Sequence, residues 1–315
     1  MERLSLKDRI KSKAKQLGFD LVGICKPRYS PEDHNHLLCW LDKGYHGEMT
    51  YMARNPRQRS DPRLFVENFK SVVAVAISYY NNPNYRPDEP YVSICARAKP
   101  YQKVIKDKLK ALLKYIQSLH PVAKGKIAVD TSPTLDKLWA QMAGLGWRGK
   151  NTLLINKKIG SFIFLGELFL NIEIEPDGPE ACHCADCSKC LENCPTGALA
   201  EPYLLNAAKC ISYLTIELPI SPQRLELVTG MVQVGNHLFG CDLCQIVCPY
   251  NESVAKTNAV EFLPNQCFSD MDIGELDALK ESGFKDRFRG TVLVEYGFNR
   301  LKKNLEAVKA NLKKM

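Results

Sequence analysis

Leu6, Ile10, Ala14 and Leu17 fall on one face of a helix, and Gly18 follows as a stop. The apolar stretch Leu21–Cys25 is short enough for a strand, with Cys25 in the core. Residues 71–80 read S-V-V-A-V-A-I-S-Y-Y, almost continuously apolar and β-branched, which predicts a strand buried on both faces at the centre of a sheet. Ile105, Leu109, Leu112, Ile116 and Leu119 then recur at helical spacing with lysines opposite, a helix laid over that sheet. Residues 126–130 form the next expected strand, ending in D-T-S-P before a helix that carries Leu135, Leu138, Trp139 and Met142. Two more strands are expected at 153–156 and 161–170, paired through the turn at 157–160.

Elsewhere the pattern breaks. Residues 40–54 read as a helix interrupted by Gly44 and Gly47, and Asn55-Pro56 opens a basic, irregular loop through 57–63. His46 reads more readily as a structural residue than as a functional one. The stretch G-L-G-W-R-G-K-N from Gly144 lacks the spacing of a phosphate loop and reads as backbone held close to a large ligand. Asp130, where strand gives way to helix, is either an N-cap or an acid projecting into a cleft at the sheet's end.

At 315 residues, with 45% hydrophobic and 25% charged residues, the chain has the make-up of an ordinary soluble globular protein with room for two domains. The longest apolar run, 161–170, is too short to cross a bilayer and carries Glu167, so no membrane contact is expected. With no signal peptide, the thirteen cysteines read as reduced thiols of a cytoplasmic protein rather than as a disulfide scaffold. The net charge of +8 gathers in two places: Lys99, Lys103, Lys106, Lys108, Lys110 and Lys114, and then Arg300, Lys302, Lys303, Lys309, Lys313 and Lys314. These are solvated helix faces or phosphate contacts.

The candidate chemistry lies in two cysteine groups. Cys184, Cys187, Cys190 and Cys194-Pro195 follow the C-x2-C-x2-C-x3-C-P run of two-cluster ferredoxins, in which three thiolates hold one 4Fe-4S cluster and the fourth reaches the other. Cys241, Cys244 and Cys248-Pro249 form a close variant. In the crossed arrangement Cys184, Cys187, Cys190 and Cys248 hold one cluster, and Cys194, Cys241 and Cys244 leave a vacancy in the other that Cys210 is best placed to fill. Structural zinc is the competing use of C-x2-C pairs, but the third cysteine at the same spacing and the doubled C-P ending favour clusters. Cys182 and His183 fall outside the spacing.

The motifs V-D-T-S-P from Val129, G-L-G-W-R-G-K-N-T from Gly144, C-I-S-Y-L-T-I-E from Cys210 and G-C-D-L-C-Q-I-V-C-P from Gly240 together resemble the epoxyqueuosine reductase family. The likeness runs from the N-terminus to about residue 300. It implies an α+β fold: an N-terminal α/β cobalamin- and substrate-binding domain (1–175) with a central sheet flanked by helices, a ferredoxin-type domain with two 4Fe-4S clusters (176–255), and a helical C-terminal segment (256–315). It further implies a monomeric cytoplasmic enzyme that reduces epoxyqueuosine at the tRNA wobble position. Electrons from a donor of unknown identity pass through the clusters to cob(II)alamin, which is reduced to cob(I)alamin. By the same resemblance Asp130 is the general acid, and Arg57, Arg97, Asp130, Asn151, Leu154, Ser212, Thr215 and Asp242 line the cobalamin pocket. No D-x-H-x-x-G motif offers cobalt a histidine.

Two departures stand out. The family's Y-A-x-G-x-D-Y-H is here C-A-R-A-K-P-Y-Q, from Cys95 to Gln102, so a polar contact made by that Asp or His must be lost or replaced. The helical-repeat extension with which longer members grip tRNA is missing, and the Lys-rich terminal helix is a candidate substitute. The competing functions are a non-catalytic two-cluster electron carrier, with no corrinoid and no role for Asp130, and a corrinoid reductase acting on a small molecule.

Overall fold

The computed structural model describes residues 4–64, 68–219, 234–269 and 271–312. The chain divides into two compact units: Met1–Lys43, Met52–Ser78 and Tyr101–Cys187 make the first, and Gly44–Tyr51, Tyr79–Pro100 and Ser188–Met315 the second.

The first unit is built on four strands, β1 (Leu21–Cys25), β2 (Ser71–Ser78), β3 (Gly125–Ala128) and β4 (Ile163–Leu170). They lie in the order β1-β2-β4-β3, and every pairing is antiparallel. All eight residues of β2 are buried, as its sequence requires. Although unbroken apolar strands are typical of parallel sheets, helices on both faces produce the same burial here. On one face α4 (Tyr101–Leu119) presents Ile105 and Leu109 to Gly166 of β4, where an added Cβ would lie 2.5 Å from Ile105. The other face carries α5 (Asp136–Met142), with Leu138, Trp139 and Ala140 packed against Val72, Ala74, Ala76, Ala128 and Phe169. Helices α1 (Leu6–Gln16), α2 (Pro31–Asp42) and α3 (Pro56–Ser60) complete the unit.

Two expectations are corrected. Strand 153–156 does not pair with 161–170: Leu154–Ile155 pairs with Trp147–Arg148, and the turn closes only the bridge between Asn156 and Gly160. The aromatic and aliphatic residues of β4 bury more surface inside the main sheet than a two-stranded hairpin allows. The basic segment after Asn55 is not wholly irregular, since Pro56 at the first helical turn starts α3.

In the second unit, one-turn helices Lys189–Glu192 and Leu243–Ile246 follow the cysteine turns. Helices Ile273–Ala278, Glu281–Arg287 and Leu293–Tyr296 and the terminal helix α6 (Phe298–Leu312) bury Leu276, Phe284, Phe288, Leu293, Leu301 and Leu305 against Leu238 and Phe239.

Candidate active site and cluster ligands

Asp130 lies just beyond β3, at the centre of a three-residue turn in which the Thr131 N–H donates to the Val129 carbonyl at 2.7 Å. Its φ of +56° places it in the left-handed region, a conformation that costs a non-glycine residue energy and that collects at functional positions. Asp130 caps no helix, because α5 begins only at Asp136. It is exposed, and its Oδ2 accepts a hydrogen bond from Gln102 Nε2 at 3.0 Å. Gln102 occupies the last position of the divergent stretch.

Behind Asp130 lie two carboxyls that the sequence reading passed over. Glu167, in the middle of β4, is 0% exposed, and Asp136, the first residue of α5, is half-buried. Burial first, then the charge of Asp136, pushes Glu167 well above the carboxylate range. Burial and the charge of Asp130 push Asp136 up as well. The signal for Glu167 is an acid inside the otherwise apolar strand S-F-I-F-L-G-E-L-F-L.

The glycines from Gly144 onward answer to the protein itself. A Cβ on Gly146 would lie 2.1 Å from the Ile155 carbonyl oxygen, and one on Gly149 would lie 2.4 Å from the Ile155 side chain. Gly146 and Gly149 thus pack closely against residue 155 within the fold. Asn151 is buried, with its Oδ1 accepting from the Leu153 N–H, and Leu154 belongs to the core beside Trp139. Arg57 stacks over Tyr29, 5.1 Å from the ring centre, and lines a groove of about 450 Å³ with His34 and Asn55.

In the second unit the remaining pocket candidates hold backbone. The Asp242 carboxylate, 1% exposed, accepts from Tyr91 Oη and Ser93 Oγ, both at 2.7 Å, and from the Ile94 N–H at 2.9 Å. Arg97 donates to the carbonyls of Val92 and Pro83. Thr215 Oγ1 donates to the Ile211 carbonyl and accepts from the Gly240 N–H, within a wide π-helical turn spanning Tyr213–Glu217. Ser212 Oγ lies 3.4 Å from the Cys241 carbonyl. Tyr213 fixes the 44–51 segment: its hydroxyl accepts from the Glu48 N–H, and a Cβ on Gly47 would lie 2.6 Å from that oxygen.

None of the thirteen cysteines, all of them among the described residues, is joined in a disulfide. Burial raises Cys210, Cys241 and Cys244 above the ordinary thiol range, and neighbouring sulfurs add to it: Cys194 acts on Cys210, Cys210 and Cys194 on Cys241, and Cys241 and Cys210 on Cys244. Four sulfurs crowded in an apolar setting repel one another once ionised, and cationic iron reverses that penalty, so the donor set fits a cluster. In the first unit Cys184, 9% exposed, accepts from Trp147 Nε1 at 3.4 Å, a contact of the kind that sets cluster potentials. The fit to a corrin is partial. Arg57 and Ser212 retain polar capacity, whereas the side chains of Asp242 and Thr215 are engaged within the fold.

The terminal helix is not the basic face expected of it. Arg300 and Lys303 are buried, Arg300 donates to the Leu218 carbonyl, Lys302 donates to the carbonyls of Leu276 and Asp277, and Lys309 pairs with Asp277. Lys313 and Lys314 lie outside the described residues.

The sequence of residues 183–251 matches the family described as a 4Fe-4S double cluster binding domain. This defines a two-cluster iron-sulfur protein joined to an antiparallel α+β unit, and it decides for clusters over structural zinc. Residues 59–131 match the family described as epoxyqueuosine reductase QueG, DUF1730. Epoxyqueuosine reductase of Leadbetterella byssophila is 40% identical over 306 residues, which are 95% of this chain and 97% of the relative. That of Escherichia coli K12 is 36% identical over 97% of this chain and 81% of its own. Among solved structures, selenomethionine-labelled epoxyqueuosine reductase superposes with a TM-score of 0.87 at 30% identity over 98% of this chain and 82% of the other. An epoxyqueuosine reductase solved with an epoxyqueuosine-modified tRNA-Tyr stem loop gives 0.86 at 30% identity, with the same coverage. The chain belongs to the epoxyqueuosine reductase family.

Proposed function

We propose that this protein reduces the epoxide of epoxyqueuosine, carried at the wobble position of tRNA, to give queuosine. The observation that carries the reading is Asp130, an acid displayed on a left-handed turn at the end of the sheet and oriented by Gln102, in a chain whose relatives carry that name along nearly their whole length. Opening the epoxide to a carbon-carbon double bond takes two electrons and two protons, and its oxygen leaves as water. Asp130 delivers the proton to that oxygen. Cys184, Cys187, Cys190 and Cys248 hold one 4Fe-4S cluster, and Cys194, Cys210, Cys241 and Cys244 the other; the crowding of the last four sulfurs supports the second set.

Cobalamin, when bound, would supply a reduced cobalt centre for the two-electron step. Arg57 and Ser212, whose polar groups keep spare capacity, are the residues proposed to meet its polar groups. The ferredoxin-type segment, 176–255, carries electrons to the 1–175 segment, and 256–315 supports it. Lys103, Lys106 and Lys114 of α4 supply phosphate contacts for the anticodon stem-loop, with the salt dependence such contacts bring. The protein acts as a cytoplasmic monomer fed by an external one-electron donor.

Anaerobically reconstituted protein, cobalamin and a chemical reductant, incubated with tRNA containing epoxyqueuosine, should yield queuosine by nucleoside mass spectrometry only when cobalamin is added. Asp130→Asn should lower the rate by about 10²–10⁴, the usual range for loss of a general acid, while cluster absorbance and cobalamin binding stay unchanged. Bound cobalamin and intact clusters without conversion would assign the protein to small-molecule reduction; no cobalamin binding would leave an electron carrier.

A further inference from the structure

The reaction proposed above consumes two protons, and a single carboxyl at Asp130 holds one at a time. Its partner Gln102 is an amide, which neither gives nor takes a proton at neutral pH. Deeper in the unit, Glu167 lies opposite Ala74 of β2 and Ala128 of β3, and those small side chains leave it room on the face covered by α5. Ala128 stands two residues before Asp130, and α5 begins with Asp136.

Among the described residues no hydrogen-bond partner reaches Glu167 Oε1, Glu167 Oε2 or Asp136 Oδ1, all of which are buried. Asp136 is the charged neighbour that acts on Glu167, and Asp130 the one that acts on Asp136. Two carboxylates are acceptors only, so neither can donate to the other unless one of them carries a proton. Lys137 and Arg59 draw Asp136 toward ionisation, and Asp130 opposes them. Cys25 of β1, the remaining titratable group beside Glu167, is itself pushed up to about 12 by burial and then by the Glu167 charge, so it stays a neutral thiol.

We propose that Asp136 and Glu167 hold one proton between them and pass it to Asp130, reloading the general acid between the two protonations of the departing oxygen. In that step one proton leaves the pair and joins the Asp130 carboxylate; the pair goes from one negative charge to two, and a proton from water restores it. No electrons move. The connecting loop contains Thr134, whose buried hydroxyl has no hydrogen-bond partner among the described residues. The inference rests on the function proposed above; Asp136 and Glu167 act through Asp130 and do not touch the substrate.

Two measurements test it independently. Infrared titration of the cluster-loaded full chain should show a protonated-carboxyl band that persists at about pH 8, above the ordinary range of Asp and Glu near 4, and that disappears in Glu167→Gln. In turnover, Glu167→Gln should lower kcat at about pH 8 by about 10- to 100-fold, at the lower end of general-acid effects, with KM for the modified tRNA unchanged. The alkaline limb of its pH profile should move to lower pH, and added imidazolium buffer should restore the rate in proportion to its concentration. Asp136→Glu should keep the native profile. A band absent from the native protein, a band retained in Glu167→Gln, or a variant profile parallel to the native one and indifferent to buffer would each overturn the proposal. If Glu167→Gln does not fold, Asp136→Asn is held to the same outcomes. Native protein that leaves epoxyqueuosine unconverted would reject the function and with it the reloading step, whereas the infrared result decides whether the pair holds its proton.

Discussion

Each unit of this protein buries a carboxyl, and the two are treated in opposite ways. Asp242 sits in the cysteine-bearing unit under three donors, Tyr91 Oη, Ser93 Oγ and the Ile94 N–H. Glu167 sits in the middle of the sheet with none. Burial without hydrogen-bond donors favours the neutral form of a carboxyl. Depth alone therefore does not say what a buried carboxyl does. Asp242 acts as a fastener, tying residues 91–94 to the second cysteine loop, and Glu167 acts as a store.

Removing the fastener should have the largest effect on stability. Asp242→Ala leaves three donors unpaired, and at about 1–3 kcal/mol for each buried unsatisfied group the loss should reach roughly 3 kcal/mol or more, measured by denaturant unfolding of the cluster-loaded chain. Next comes Thr215→Val, which strips the Gly240 N–H of its acceptor and should cost about 1–2 kcal/mol in the same assay; an unchanged midpoint would mean that water replaces the hydroxyl.

Glu167 predicts a dependence on pH with a definite sign. Its folded-state pKa is raised, so between the unfolded value near 4.3 and the folded one the native state holds a proton that the unfolded state has released, and stability falls as pH rises. Glu167→Gln removes that slope. The melting temperature of the variant relative to native should climb from about pH 5 to about pH 8, by an amount set by the shift between those limits; two parallel curves would show that Glu167 is ionised in the fold. The smallest effect is expected of Gln102→His, which keeps a donor beside Asp130 but adds a titratable ring. Turnover should stay within a few-fold while a new inflection appears near an ordinary imidazole value of about 6.5.

Much of this architecture is legible in the sequence because local pattern and tertiary burial agree. β2, α1 and α4 announce themselves by period, and the cysteine spacing names its metal chemistry. What escapes is long-range pairing and charge in unexpected places. The turn at 157–160 looks like a hairpin because it does close one bridge, yet β4 finds its partners 39 or more positions away, a choice that no local window contains. Asp130 could be read as cap or acid until the start of α5 was located. The terminal lysines looked like a nucleic-acid face because periodicity marks which residues share a side of a helix and not what that side meets.

That last helix has a consequence for how the protein is made. Asn304 donates to the carbonyls of Thr215 and Leu238, and Arg300 to that of Leu218, so the backbone beside Cys210 and before Cys241 gains its final partners from the end of the chain. On a ribosome every cysteine ligand emerges before the helix that steadies its neighbourhood, and at about 5–20 residues per second the delay lasts seconds. Iron delivered to the nascent chain before that helix has emerged would meet thiols whose surroundings it has not yet braced.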